Sequence, residues 1–501
     1  MSRRSAHSRR RNPSRRPILL SLLALILVVA GALVAGTATF HGHRLFGHAP
    51  ARQSSPTASP APTVSGASSG PALWALTPSP AAAVLSPLAQ LPATAPVPKT
   101  AAITARVAPL LADPALAGDT VALVVADARS GSVLLDNHGS DPAVPASTAK
   151  IAVAIAALHA LGDDHRFTTK TVLAAGNRVV LVGGGDPTLA GPTAIGAHDP
   201  GYPAPARLAD LVAQTASALK NKGITTVSVG YDASLFAGPL TGPAWKPLYI
   251  NEGDVAPVSA LEVDEGSPDL TKPQRAADPA GVAAREFATL LVAAGVHVTG
   301  APVATKATPD DGMLASVQSP RLSALVQRML GRSDNDLAEA LARQVALATG
   351  KPATFAGGAD AVRATLAGLG VPASGLAMVD GSGLSPSDRV QPVALVRMVD
   401  LVLAGKHPEL SSMAQALPVA GFSGTLTSRY TASPASNAAG RVHAKTGTLD
   451  GVVALAGYLN DASGRVLAFA VIANGVPQGG TVRTEQAIDR LAAGIAGCGC
   501  S

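Results

Sequence analysis

The chain reads as an α/β protein whose first and last ordered segments share one five-stranded antiparallel sheet, with a smaller domain inserted between them. Two observations predict this plan. Strand-like runs fall into two separated groups, two near the start of the ordered chain and three near its end. Between them, residues 190–300 turn rich in Gly and Pro and carry only short strand-like runs, such as Thr225 to Val229 and Val296 to Thr299.

The elements follow in order. Ala102 to Leu111 predicts a helix, and Asp119 to Ala126 alternates toward a strand. The turn Asp127-Ala128-Arg129-Ser130-Gly131 leads into a second strand, Ser132 to Asp136, which closes a hairpin. Ile151 to Leu161 is apolar on every side and predicts a buried helix stopped by Gly162. Near the end, Val442 to Gly447, Val452 to Leu459 and Val466 to Ala473 predict three strands, the last two joined by Asn460-Asp461-Ala462-Ser463-Gly464. Thr484 to Ile495 predicts a closing helix. Hydrophobic residues make up 47% and aromatics 3%, so the core is built from Ala, Val and Leu.

The N-terminus is organised differently. The net charge of +6 comes from seven arginines (Arg3, Arg4, Arg9, Arg10, Arg11, Arg15, Arg16), and without them the remainder sits at −1. No basic field is left to hold a nucleic acid. From Ile18 to Ala35 the chain is almost purely apolar, near the ~20 residues a helix needs to cross a bilayer. Arginines before the span and almost none after it put the body outside the membrane. The reading is a basic tail (1–17), a single-pass anchor (18–38) and a Pro/Ala/Ser/Thr-rich linker (39–100). A signal peptide cut near Gly36-Thr37-Ala38 is the alternative and would leave the body secreted; the length of the span favours the anchor. The body then divides into 101–189, the inserted 190–300, and 301–501. Cys498 and Cys500 are read as part of a frayed tail, since their spacing strains a mutual bridge.

Three short patterns carry chemistry. In Ser147-Thr148-Ala149-Lys150 the lysine falls one turn beyond the serine, on the same helix face. A serine hydroxyl is a weak nucleophile until a base takes its proton, and burial or a nearby cation lowers a lysine enough to do so. The pattern turns up about once by chance in a chain this long, and Ser217-Ala218-Leu219-Lys220 repeats it on an ordinary amphipathic helix. Ser333-Asp334-Asn335 lies between two helical stretches, where all three residue types favour helix caps. There, Ser333 also suits proton relay and Asn335 suits a substrate amide. Lys445-Thr446-Gly447-Thr448 ends a strand, offering cation and hydroxyls for a carboxylate and a glycine for close backbone approach.

In this order the three motifs resemble those of penicillin-binding proteins and serine β-lactamases. The likeness extends to Gly183-Gly184-Gly185-Asp186-Pro187-Thr188-Leu189, to Asp232, Phe236 and Trp245, and to Asp380-Gly381-Ser382-Gly383-Leu384-Ser385. Over residues 102–495 the chain is similar to D-alanyl-D-alanine carboxypeptidases of the class C penicillin-binding protein 4 type, peptidase family S13. The resemblance implies the penicillin-binding, β-lactamase-like fold: the five-stranded sheet flanked by helices, an all-helical subregion and an inserted domain. It makes Ser147 the acylated nucleophile, Lys150 its base, and Ser333 and Asn335 the proton shuttle and substrate holder. Lys445, Thr446 and Thr448 then hold the terminal carboxylate beside Gly447, and the amides of Ser147 and Thr448 form the oxyanion hole. The implied partners are peptidoglycan stem peptides ending in D-Ala-D-Ala and covalently binding β-lactams, with no metal or organic cofactor. Ser147 and Ser333 stand closer in sequence than in members with two inserted domains, so the insertion is short. A β-lactamase, a transpeptidase and a catalytically inactive wall-binding homologue share the pattern. The class A Glu-x-x-Leu-Asn signature is missing, because Glu339 and Glu409 alone lie between Asn335 and Lys445 and neither fits.

Overall fold

The computed structural model describes residues 95–117, 120–192 and 203–499. The basic tail, the apolar span and the linker up to residue 94 lie outside them. Helix α1 (Thr100–Leu111) precedes the hairpin of β1 (Thr120–Asp127) and β2 (Val133–Asn137). Helix α2 (Lys150–Leu161) follows, stopped by Gly162 at φ 84°, and leads into β3 (Thr168–Ala174) and β4 (Arg178–Val182). Then come α3 (Leu208–Asn221), β5 (Thr226–Asp232), the short α4 (Leu248–Glu252), α5 (Pro279–Ala293), β6 (His297–Ala304) and β7 (Gly312–Gln318). A helical run holds α6 (Leu322–Arg332), α7 (Asn335–Ala348) and α8 (Phe355–Gly368), then the two-residue strands β8 (Leu376–Ala377) and β9 (Arg389–Val390), then α9 (Pro392–Leu403) and α10 (Ser411–Ala416). Strands β10 (Val442–Leu449), β11 (Val452–Asn460) and β12 (Val466–Asn474) and helix α11 (Thr481–Ala496) close the chain.

The first sheet has the order β10-β11-β12-β1-β2 and is antiparallel throughout, so the two ends of the folded chain meet at the β12–β1 pair. Both faces are covered, which is why β11 and β12 read as continuous apolar runs. Along β12, Ala468, Ala470 and Ile472 face one core, shared with α2, α6 and α9. Leu467, Phe469, Val471 and Ala473 face the other, shared with α1 and α11. Small side chains on the first face, with Ala454 and Ala456 of β11, let the helices approach closely. The far end of the sheet is pinned by Arg465, which donates to Asp127 at 2.6 and 2.8 Å and to the Ala95 carbonyl at 3.0 Å. Order therefore begins before residue 101.

A second sheet, β6-β5-β4-β3-β7, is mixed, with β4–β5 and β5–β6 parallel, and α3 and α5 pack on it. It takes strands from Thr168 to Gln318, wider on both sides than residues 190–300. Composition marked the Gly/Pro-rich centre and passed over the alternating β3–β4 hairpin that starts the domain. Both sheets belong to one compact unit. The chain end also departs from expectation: Cys498 is disulfide-bonded and 2% exposed, packed into the α1–α11 core. Among the described residues no helix is long and apolar enough to cross a membrane.

Ile103 and Val107 of α1 are fully buried in the core shared with α11. Ile103→Ala is expected to cost about 3 kcal/mol through lost burial and the cavity left behind. A melting temperature several degrees lower, read by differential scanning calorimetry, checks this.

Candidate active site

Ser147 sits on a 3-10 turn (Ala146–Ala149), not inside α2, which begins at Lys150. Three residues per turn bring positions i and i+3 into line, and the Lys150 Nζ donates to the Ser147 Oγ at 2.9 Å. The same Nζ donates to the Asn335 Oδ1 and to the Ser382 carbonyl, each at 2.6 Å. Lys150 is fully buried, and desolvation pulls its amine down to about 8 against the charges of Asp380 and Glu339. By contrast, Ser217 and Lys220 of the second Ser-x-x-Lys are exposed on α3.

Ser333-Asp334-Asn335 divides its labour. Asp334 caps α7, accepting from the Leu337 amide at 3.0 Å, and is held by Arg328. That frees its neighbours. Ser333 closes α6 in a left-handed conformation (φ 59°), where glycine is usual. Its hydroxyl accepts from the Lys445 Nζ at 2.9 Å. Asn335 also donates to the Asp254 carbonyl at 2.7 Å, which fixes its amide orientation. Ala146, directly before Ser147, is likewise left-handed (φ 47°). Such strain persists where the surroundings impose it, as at working sites.

Strand β10 is the sheet's outer strand. Its Ala444 amide donates outward to the Pro418 carbonyl, so by two-residue alternation the Thr446 and Thr448 amides point to the same open edge. The Thr448 amide thus faces the cleft beside Ser147. Lys445 is fully buried beneath Ser333, and burial, then the charge of Lys150, holds its amine well below the usual range. Thr446 pairs with the Thr425 hydroxyl at 2.8 Å, on the face it shares with Thr448. Pleat alternation separates it from Lys445, which four consecutive letters do not reveal. Gly447 is required for packing: a Cβ there would lie 2.7 Å from the Pro145 carbonyl.

The cleft has a volume of about 770 Å³ and is lined by Ser147, Ser333, Asn335 and Thr448. Tyr249, Leu384 and the Lys246–Asp450 ion pair form its outer wall. Three features behind it were quoted in the sequence without a role. Asp380 accepts from Gly383 and Ser385 amides at 2.7 and 2.8 Å and from the Trp245 indole at 2.8 Å, clipping the 245 loop to this turn. At Gly383 (φ 79°) a Cβ would fall 2.0 Å from the Ala146 carbonyl, so the turn presses on the 3-10 turn carrying Ser147. Gln344 donates to the Gly184 carbonyl at 2.8 Å, which seats the Gly183-Gly184-Gly185 segment. One residue was missed. Glu339, fully buried, accepts from the Gly381 and Ser382 amides at 3.0 and 2.8 Å and thereby aims the Ser382 carbonyl at Lys150. Burial pushes its carboxyl up to about 7. Its helical position facing a Gly-rich turn gives no signal in the sequence.

A serine beside a neutralisable buried amine, with two amides at an open strand edge, is equipped for acyl transfer. Residues 103–276 and 268–495 match the D-Ala-D-Ala carboxypeptidase 3 (S13) family. A carboxypeptidase of Mycobacterium tuberculosis is 38% identical over 81% of this chain and 86% of its own length. Carboxypeptidase DacB of Mycolicibacterium smegmatis is 37% identical over 81% and 86%. A D-alanyl-D-alanine carboxypeptidase of an Actinomadura species is 31% identical over 73% and 80%. Penicillin-binding protein 4 of Haemophilus influenzae superposes with a TM-score of 0.62 at 22% identity, covering 79% of this chain and 97% of that one. The fold is therefore that of a penicillin-binding protein. The chain belongs to the S13 family of D-Ala-D-Ala carboxypeptidases.

An amine at about 8 is protonated below that pH and becomes a base above it. The rate of Ser147 acylation is expected to rise with pH through about 8. Glu339→Gln keeps an acceptor for the two amides but removes a charge that favours protonated Lys150. Its ascending limb should lie at lower pH than in the wild type, as stopped-flow acylation across pH would show.

Proposed function

We propose that this D-alanyl-D-alanine carboxypeptidase works through an acyl-enzyme on Ser147, with Lys150 as the base. The observation that carries the reading is the buried amine of Lys150, 2.9 Å from the hydroxyl. In the first half-reaction the Ser147 Oγ attacks the penultimate D-alanine carbonyl and its proton passes to the neutral Lys150 Nζ. The amides of Ser147 and Thr448 take up the developing oxyanion. As the C–N bond breaks, the departing D-alanine amine takes a proton by way of the Ser333 hydroxyl, which Lys445 holds. The Lys445 amine and the Thr446 and Thr448 hydroxyls meet the terminal carboxylate, and Asn335 holds the peptide amide. Water then attacks the ester and frees Ser147. The same attack on a D-alanyl amide whose amine belongs to a neighbouring stem is an endopeptidase cleavage, and the cleft running out past Tyr249 and Leu384 supports it.

A β-lactam enters the same chemistry as a cyclic amide, but its leaving group stays tethered and obstructs water. A β-lactamase relieves this with an extra base in the cleft. Here Glu339 lies behind Lys150 and Glu409 bonds His159 on the surface, and neither lines the cleft. The peptidase reading therefore stands above the β-lactamase reading. The body is placed outside the cell membrane by the sequence argument, from the apolar span after a run of arginines.

Three measurements test these proposals. Ser147→Ala should lose covalent labelling by penicillin and D-alanine release from a D-Ala-D-Ala peptide, whereas Ser217→Ala keeps both near wild type. Mass spectrometry of the wild type should show a slowly lost penicillin adduct on Ser147; rapid repeated penicillin hydrolysis without D-alanine release would favour a β-lactamase. For topology, the full-length chain should fractionate with membranes and be cleaved by protease added outside. Intact chain in the cytosol would refute export.

A further inference from the structure

Away from the cleft, one cluster of side chains offers ligand chemistry that the peptidase reaction does not use. His159 lies in the last turn of α2, and His407 and Glu409 stand on the loop between α9 and α10. The His159 Nδ1 is 2.8 Å from the Glu409 Oε1, and the His407 Nδ1 is 3.3 Å from the same oxygen. The three residues offer donor atoms that all fall within 4.8 Å of one another. Tetrahedral zinc with bonds of about 2.0–2.1 Å spaces its ligand atoms about 3.3 Å apart. Three corners of that figure are already close to position. The imidazoles meet at 83° with centroids 5.9 Å apart, an edge-on arrangement that lets their nitrogens converge. Side-chain exposures of 28–39% leave a fourth position open to water and room for a small closing shift.

Donor chemistry selects the ion. Two imidazoles and one carboxylate suit zinc, whereas magnesium and calcium prefer all-oxygen shells. The acidic cluster of Glu265, Asp334 and Asp336 beside the cleft differs, because Arg275 and Arg328 already neutralise it.

We propose that His159, His407 and Glu409 form a zinc site, completed by water, that ties the end of α2 to the loop following α9. Lys150 stands at the other end of this helix, nine residues and about 14 Å away, with Ser147 on the turn before it. Zinc there joins positions 250 residues apart in sequence and touches no reacting group. It acts as a staple on the helix that carries the base, and by binding only the folded chain it raises stability.

The test uses full-length protein without a polyhistidine tag, stripped with a chelator and titrated with Zn2+ alone, with Co2+ as an optical probe. The wild type should bind one ion per chain at this site, show the visible bands of tetrahedral Co2+, and gain roughly 2–4 °C in melting temperature at saturating zinc. His407→Ala and His159→Gln should each lose the ion, the bands and the gain, with circular dichroism confirming the fold. Glu409→Gln retains a hydrogen-bond acceptor for His159 and should weaken zinc at least tenfold; it decides the matter should a histidine variant fail to fold. Equal zinc uptake and stabilisation in wild type and variants would overturn the site. So would no binding by the wild type up to ~0.1 mM zinc.

Discussion

The amine of Lys150 is the constraint to which the surrounding structure answers. An ammonium cannot be buried without partners, and a base cannot work while protonated at neutral pH. Three oxygens meet the first demand, the Ser147 hydroxyl, the Asn335 amide oxygen and the Ser382 carbonyl, and desolvation meets the second. Each comes from a different part of the chain, so the residues between 147 and 382 must fold before the amine has its full set. The cooperative core under α2, with Ile151, Ile155 and Leu158 fully buried, fixes the helix on which this depends.

The electrostatics are a balance and not a simple desolvation. Burial lowers Lys150 while Asp380 and Glu339 oppose it, leaving the amine near 8. Lys445, equally buried, is likewise held well below the usual lysine range by burial and by the charge of Lys150. Two buried lysines within each other's field do not both hold protons easily. One donates to the Ser147 hydroxyl and the other to the Ser333 hydroxyl. The strain at Ala146 and Ser333 (φ 47° and 59°) is the conformational cost of presenting both hydroxyls to one cleft.

Helix α2 links this centre to the surface. Its first residue is Lys150, and its last turn carries His159 against Glu409. A straight, fully packed helix moves as one body, so whatever fastens its far end limits drift at the near end.

Much of this was legible in the sequence. Apolar runs bounded by polar turns marked the five strands of the first sheet, because a strand buried on both faces must be apolar throughout. The spacing of Ser147 and Lys150 placed them together, since local helical geometry alone fixes i and i+3. The second sheet's limits were not legible: Gly312, which opens β7, lies 138 residues beyond Ala174, which closes β3, yet Ala315 lies beside Thr171 in the ladder.

 Pairing over that distance is decided by packing and not by local propensity. Thr446 shows the same limit on a smaller scale. Its letter sits beside that of Lys445 in the motif, yet the pleat turns the two to opposite faces, Thr446 toward Thr425. Glu339 and the Ser382 carbonyl are the clearest case. Backbone oxygens have no letter of their own, and a buried glutamate declares its purpose only once the turn it holds has been folded against Lys150. The sequence by itself determined that Ser147 and Lys150 meet, and the strands of the central sheet, because these rest on short-range geometry. Tertiary structure alone decided which groups surround the amine, because those contacts are made by residues as far apart as 150 and 382.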